Sequence, residues 1–481
     1  MFIFVVRLIS FLLAIIALTF VIPVACALYY GEYQLISCFA LPFVVCILFA
    51  VVMWFAGKNK KIKRLSLRSG YVLVAVAWVM ACILGAVPLL LSGTMKSFTD
   101  ALFESVSGFS TTGATVLSEV EPLPHCINMW RMQMHWLGGM GIVVLTVALL
   151  PLLDAGGFTL VKAETTGPDK GKITPKIATT AKILWFIYFG MTLAETVLLM
   201  ICGMSFWDAL AHSFSTLGTG GFSSKNASIG GYNSASIEWV CCIFMALSGI
   251  NFSLYFQAFT GKIKSIFENT ELKVYIVLLL VCITGITIFI LPQYKSFSTA
   301  LRLAAFQVVT IVSTTGFATA DFTVWAPSAQ FIIFVLMFVG GCSGSTGGGF
   351  KVIRWVVFGK QAANEMRHLL HPHGIFTIRI NNDPGRKDLV FSVAAFGFLY
   401  GILVLITTFV GTLGGLDLFS AFTGGLSMVG NIGPGFGMLG PSENYGALLP
   451  FVKWWYCFAM LAGRLELYTL ILFFFPEFWK K

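Results

Sequence analysis

Asp100-Ala-Leu-Phe-Glu-Ser-Val-Ser-Gly-Phe-Ser-Thr-Thr-Gly113 decides how this chain is read, because its pattern occurs four times. The other copies run Asp208-Ala-Leu-Ala-His-Ser-Phe-Ser-Thr-Leu-Gly-Thr-Gly-Gly221, Leu303-Ala-Ala-Phe-Gln-Val-Val-Thr-Ile-Val-Ser-Thr-Thr-Gly316 and Ser420-Ala-Phe-Thr-Gly-Gly-Leu-Ser-Met-Val-Gly-Asn-Ile-Gly433. They align without a gap, and their last glycines lie 108, 95 and 117 residues apart. Each begins with a semi-apolar stretch of about a dozen residues, too short to cross a bilayer, which fits a half-helix that enters the membrane and turns back. Close packing of small residues would explain one such loop. It does not explain four copies at the same offset. Trp130, Trp239, Phe331 and Trp454 open the apolar runs that follow, and small-residue breaks recur at Gly138-Gly139, Ser248-Gly249, Gly340-Gly341 and Ala462-Gly463. The repeating unit is therefore span, re-entrant loop, span.

Composition sets the medium. Of 481 residues, 57% are hydrophobic and 11% charged. A soluble domain carries roughly 25% charged residues, so this chain reads as a polytopic membrane protein. Ten apolar runs are expected as spans: 2–29, 34–56, 71–92, 130–153, 181–203, 237–260, 272–292, 329–342, 388–413 and 451–475. The first resembles a signal peptide in its flanks, but it is long and a second run follows at once, so the two read as a retained helical hairpin. The eleven cysteines are scattered among apolar runs without a metal-binding spacing.

The net charge of +10 follows topology. Lys58–Arg64, Lys162–Lys182, Lys262–Lys273, the basic residues from Lys351 and Arg354 to Lys387, and the final Lys480-Lys481 all follow even-numbered spans. Those segments read as cytoplasmic, with both termini, and no nucleic-acid partner is needed to explain them. The other side holds the repeated loops. There Ser97…Asp100 and Ser205…Asp208 match a capping box at the start of two half-helices.

The chemistry of the loops follows from their backbone. Thr111-Thr112-Gly113 and its counterparts favour irregular chain, tolerated at membrane depth only where it is buried or lines water. Four such segments around one axis present rings of carbonyl oxygens, which replace the hydration shell of a potassium ion. The half-helices point their partly negative ends at the same axis. A second element is Gly340-Gly341-Cys342-Ser343-Gly344-Ser345-Thr346-Gly347-Gly348-Gly349, which interrupts the eighth span. It fails the nucleotide P-loop spacing, since Phe350 separates Gly349 from Lys351, and reads as a flexible loop below the carbonyl rings. Arg464 sits about 15 Å of helix rise into the last run, where an arginine needs water or a partner. Glu466, two residues on, is poorly placed to pair with it along a helix. Glu104, Glu195, Asn251 and His135 are open to two readings, pore support or ordinary buried hydrogen bonding.

On the residues Ser110-Thr-Thr-Gly113-Ala, Leu217-Gly-Thr-Gly-Gly221-Phe, Ser313-Thr-Thr-Gly316-Phe and Asn431-Ile-Gly433-Pro-Gly, the chain resembles the membrane subunit of the Trk/Ktr/HKT superfamily of potassium transporters, and most the bacterial TrkH type. The resemblance covers about residues 71–475. It implies an all-α polytopic fold of four pseudo-symmetric units around one pore, at 71–176, 177–265, 266–385 (with its second helix broken) and 386–481, after an amino-terminal hairpin and basic loop at 1–70. It implies a potassium filter built by Thr111, Thr112, Gly113, Thr219, Gly220, Gly221, Thr314, Thr315, Gly316, Asn431, Ile432 and Gly433. Glycine at all four ends favours potassium over sodium, while the fourth loop, lacking a threonine pair, makes the filter less symmetric. The gate is expected from Gly340, Gly341, Ser343, Gly344, Ser345, Thr346, Gly347, Gly348, Gly349 and Arg464, the arginine raising the barrier to cations and holding the loop.

The resemblance also implies a homodimer in the bacterial inner membrane and a cytosolic ring of nucleotide-binding regulatory domains of the TrkA type. Potassium is then the transported substrate, and no organic cofactor is bound. The loop 360–388, basic and carrying His368, His371 and His373, is either the docking surface for that ring or a solvated loop near anionic lipid. Channel and ion-coupled symport share this architecture and stay open. A membrane-embedded enzyme would need convergent acid, base or metal ligands at one face, which the scattered histidines do not offer, so no catalysis is expected.

Overall fold

The computed structural model describes residues 2–57, 67–141, 177–381, 383–384 and 387–480. The basic stretches 58–64 and 162–176 and the end of the fourth apolar run lie outside the described residues. Four units follow one plan: a long lead helix, a short helix, an irregular loop and a return helix. The lead helices are Leu67–Leu91, Ile177–Ile201, Thr270–Tyr294 and Lys387–Leu413. The short helices are Phe98–Phe109, Phe206–Leu217, Phe297–Val312 and Leu418–Gly430. The return helices are His125–Gly139, Ala235–Ser248, Pro327–Leu336 and Pro450–Arg464. Arg379–Ile380 and Asp383–Pro384 form a two-stranded pair, the only sheet among the described residues.

Burial runs opposite to that of a soluble protein. Leu280, Val281 and Ile288 on the third lead helix are 60%, 65% and 63% exposed, whereas Ser107, Thr111, Thr216 and Thr310 are completely buried. Apolar side chains on the outside and hydroxyls at the centre suit a lipid surround. The chain is a multi-pass membrane protein.

Among the described residues, the ten expected runs are not all straight spans. Among the described residues six helices are long and apolar enough to cross, or eight if two bent pairs each count as one. Ala235–Ser248 with Phe252–Phe259 bends by 91°, and Pro450–Arg464 with Tyr468–Phe474 by 117°. The small-residue breaks at Ser248-Gly249 and Ala462-Gly463 mark these places, but the continuous hydropathy of 237–260 and 451–475 does not show the bends. The cause is polar and local. Asn251 caps a new helix by accepting from the Ser253 N–H at 2.9 Å. Glu466 and Leu467 take positive φ, 57° and 54°, which no α-helix continues.

The amino-terminal hairpin is part of the packed protein. Phe20 meets the Trp130 ring edge-on at 4.8 Å, and the Gln133 amide donates to the Thr19 carbonyl at 2.8 Å. Glu32, between the hairpin helices, caps the first return helix from outside. Its carboxylate accepts from the His125 and Cys126 N–H groups at 2.7 and 3.0 Å. Partial burial opposes its ionisation, yet those donors outweigh it and hold the carboxyl below the usual range.

The two capping boxes do not both form. Ser205 accepts from the Asp208 N–H at 3.2 Å. Ser97 makes no such bond, and the Asp100 carboxylate accepts instead from the Lys453 ammonium of the fourth return helix at 2.7 Å. The fourth short helix has a cap instead: Asp417 accepts from the Phe419 and Ser420 N–H groups.

Candidate functional site

All four short helices end alike. The residue two before each terminal glycine is left-handed: Thr111, Thr219, Thr314 and Asn431, with φ of 57°, 54°, 59° and 53°. The next N–H returns five residues into the helix: Thr112 to Ser107, Gly220 to Ser215, Thr315 to Thr310 and Ile432 to Ser427, at 2.8–3.0 Å. This is a Schellman closure, in which glycine usually occupies the left-handed place. Here three of the four are threonine, a β-branched residue that pays for positive φ and keeps it only where surroundings enforce it. Asn431 accepts that geometry more readily, so the fourth loop, different in sequence, has the same backbone.

The terminal glycines then close a circle. Each is left-handed, with φ of 78°, 83°, 84° and 102° at Gly113, Gly221, Gly316 and Gly433. A Cβ on Gly113 would lie 1.9 Å from the Gly220 carbonyl oxygen. One on Gly221 would lie 2.2 Å from that of Thr315, and one on Gly316 2.4 Å from that of Ile432. One on Gly433 would lie 2.6 Å from the carbonyl oxygen of Thr112, which returns to the first loop. Every predicted filter residue is thus in one cyclic backbone arrangement, first to second to third to fourth to first. All four glycines line a single cavity on one side of it, together with Arg131 and Lys225.

The glycine-rich segment lies directly against this circle on its other side. Residues 340–349 hold no α-helix. The Gly348 N–H donates to the Thr314 hydroxyl at 2.7 Å, and a Cβ on Gly347 would meet the Ser313 carbonyl oxygen at 2.8 Å. Gly344 offers its carbonyl to the Phe252 N–H at 3.0 Å, and Cys342 donates to the Gly249 carbonyl at 2.8 Å. The Gly340 N–H reaches the Phe350 carbonyl at 2.9 Å, and the Gly341 carbonyl accepts from Val352 at 3.2 Å, so the segment closes on itself. Ser345 bonds the Cys342 carbonyl within the loop at 2.7 Å. Gly349 has a positive φ of 73° beside Thr314.

Arg464 reaches the same segment. Its guanidinium donates to the Thr346 carbonyl at 2.7 Å and to the Gly138 and Gly139 carbonyls, each at 2.6 Å. It therefore ties the loop to the end of the first return helix. Glu466 pairs with Arg354 instead.

Three residues of this region escape a reading of the sequence. Lys351 and Arg354 belong by charge to the cytoplasmic cluster after the eighth span, but they are 1% and 4% exposed. The Lys351 ammonium turns back onto the Gly347 carbonyl, and Arg354 lies over the Phe396 ring at 3.6 Å. Counting charges cannot show that these two side chains fold back into the protein. The third is Glu271, in the first turn of a lead helix, where an acid is ordinary. Its carboxylate accepts from the Ser343 and Ile353 N–H groups at 2.7 and 3.1 Å, joining the segment to the start of the helix that follows it. Glu271→Ala is expected to loosen that junction and raise ion leak through the isolated chain about tenfold, given about 1.5–3 kcal/mol for each bond to a charged group. A leak equal to that of the unmodified chain at matched amounts in liposomes would refute it.

Four helix-and-loop units whose terminal glycines meet in one circle inside an apolar exterior fit a membrane transport protein. The sequence profile of the TrkH family, described as cation transport protein, matches residues 36–481. The chain belongs to that family. It is 38% identical to the Trk system potassium uptake protein TrkH of Halomonas elongata, over 99% of this chain and 98% of that protein. It is 36% identical to the protein of that name from Escherichia coli K12, over 99% of each. Its fold matches the crystal structure of the potassium transporter TrkH from Vibrio parahaemolyticus with a TM-score of 0.88 at 34% identity, covering both chains in full.

Proposed function

We propose that this chain takes up potassium across the inner membrane through the circle of four loops. The observation that carries this is the cyclic contact of each terminal glycine with the carbonyl of the next loop, opening onto one cavity. The cavity is the outer mouth. An ion entering it exchanges water for carbonyl oxygens of residues 111–113, 219–221, 314–316 and 431–433, and the carboxyl ends of the short helices favour its positive charge. Segment 340–349 is the gate, held by Arg464, whose charge also raises the barrier to a passing cation.

The chain acts as a homodimer with both termini in the cytoplasm. Its regulatory partner is a cytosolic nucleotide-binding ring that docks on loop 360–388. Support for that surface is the exposure of Met366, Leu369, Leu370 and Ile375 beside Arg367 and His368.

The test is uptake of radioactive rubidium into liposomes holding the purified chain, driven by internal potassium. Uptake that external potassium competes away at roughly a tenth of the sodium concentration needed is the expected result. A silent chain is tested again with residues 344–349 deleted: leak then indicates a closed gate, and continued silence rejects the pore.

A further inference from the structure

The four loops share a backbone but not the way their sides are filled. In the first and third, two hydroxyls clasp: Ser110 Oγ lies 2.8 Å from Thr112 Oγ1, and Ser313 Oγ lies 2.7 Å from Thr315 Oγ1. The second and fourth loops have lost both hydroxyls, carrying Gly218 and Gly220, and Gly430 and Ile432. The fourth fills the space with its own side chain, since a Cβ on Gly430 would meet Ile432 Cδ1 at 3.1 Å. Asn431 adds a bond to Thr112 Oγ1 at 3.0 Å and one to the Met460 carbonyl at 2.9 Å.

The second loop has nothing of its own. A Cβ on Gly220 would fall 2.1 Å from Cγ and 2.2 Å from Nδ1 of His135, which stands on the return helix of the first unit. The imidazole is completely buried, its Nδ1 is 3.0 Å from Ser215 Oγ, and its ring stacks on Phe222 at 4.3 Å. One turn earlier, Arg131 places its guanidinium 4.3 Å from the same Phe222 ring. The ring therefore backs the Gly220-Gly221 peptide, the most conformationally free pair in the circle.

We infer that His135 is a positioning residue for the second loop, standing in for the missing side chain at Gly220, and that it sets how well the circle discriminates potassium from sodium. The inference rests on the filter reading. In the fit view of carbonyl selectivity, the packing behind the oxygens holds them at the spacing the larger ion needs. An empty space beside two glycines lets the second loop adapt to the smaller ion. Gly220 itself is not left-handed, and the first and third loops carry threonine at its position, so the backbone accepts a side chain once the ring is gone.

The test reads the ratio of sodium to potassium concentrations that give equal protection of the purified chain against thermal unfolding, which needs no open gate. His135→Ala is expected to lower that ratio roughly tenfold, equivalent to about 1.4 kcal/mol. Gly220→Thr alone drives a methyl-bearing carbon into the ring and should lose potassium protection altogether. The pair together refills the space and should return the ratio to within about threefold of the unmodified chain. If His135→Ala does not reach the membrane, His135→Asn, which fills half the ring's space, should show an intermediate ratio. A ratio unchanged in the histidine variants, or a double variant no better than its worse parent, overturns the inference. An unmodified chain with no preference between the ions rejects the filter reading itself.

Discussion

Gly113→Ser is expected to cost the chain its preference for potassium. Gly113 has φ of 78°, where a serine costs about 1 kcal/mol on backbone grounds alone. The larger effect is steric. The new Cβ would stand 1.9 Å from the Gly220 carbonyl oxygen, so that oxygen or the whole first loop must move. Movement of the second loop reaches the third, because Gly221 abuts Thr315 in the same manner. One substitution therefore disturbs several of the oxygens proposed to replace an ion's water. The potassium-over-sodium ratio in rubidium competition should fall at least about tenfold, the discrimination lost with about 1.4 kcal/mol. Gly190→Ala is the control, because nothing lies within 4 Å of the added carbon. Equal ratios in the two variants would remove the carbonyl circle as the source of selectivity.

Arg464→Ala carries the second large effect. Three short bonds to backbone carbonyls disappear, one of them the tie to Thr346 in the glycine-rich segment. Bonds from a charged donor contribute about 1.5–3 kcal/mol each, so losing the Thr346 tie alone should raise basal flux about tenfold or more. Arg464→Lys separates the two roles of the arginine. It keeps the charge but cannot fork to three carbonyls. High flux in both variants points to the tether, and high flux in the alanine variant alone points to the charge. Unchanged flux in Arg464→Ala at equal protein would sink both.

Much of the arrangement was legible because repetition carries more information than propensity. One short helix ending in a small-residue turn and glycine is ordinary. Four such segments in register, two of them ending Ser-Thr-Thr-Gly, point to a circle, and in the structure Gly433 abuts the Thr112 carbonyl. The breaks at Gly138-Gly139, Ser248-Gly249 and Gly340-Gly341 were visible in the same way, as echoes between units. What stayed hidden depends on contacts across the chain. The small-residue breaks mark where the corners after Ser248 and Arg464 fall, but not that the chain bends there by 91° and 117°. Asp100 looks like half of a capping box until Lys453 is placed beside it. Lys351 looks cytoplasmic until its ammonium is seen folding back to Gly347. Glu271 has no local signature, because its importance comes from two N–H groups more than 70 residues away in sequence.

The closing contact also orders the birth of the protein. The first loop emerges from the ribosome early, yet its neighbour on one side, Asn431 with Gly433, lies 319 residues beyond Thr112. Until the fourth unit enters the membrane, Thr111 has no complete ring to enforce its left-handed backbone. Until then the early loops carry unfinished polar backbone that lipid cannot satisfy, so neighbouring helices or water must cover it. Maturation is then a single late event, and a nascent chain halted before residue 433 can hold three loops but no finished passage.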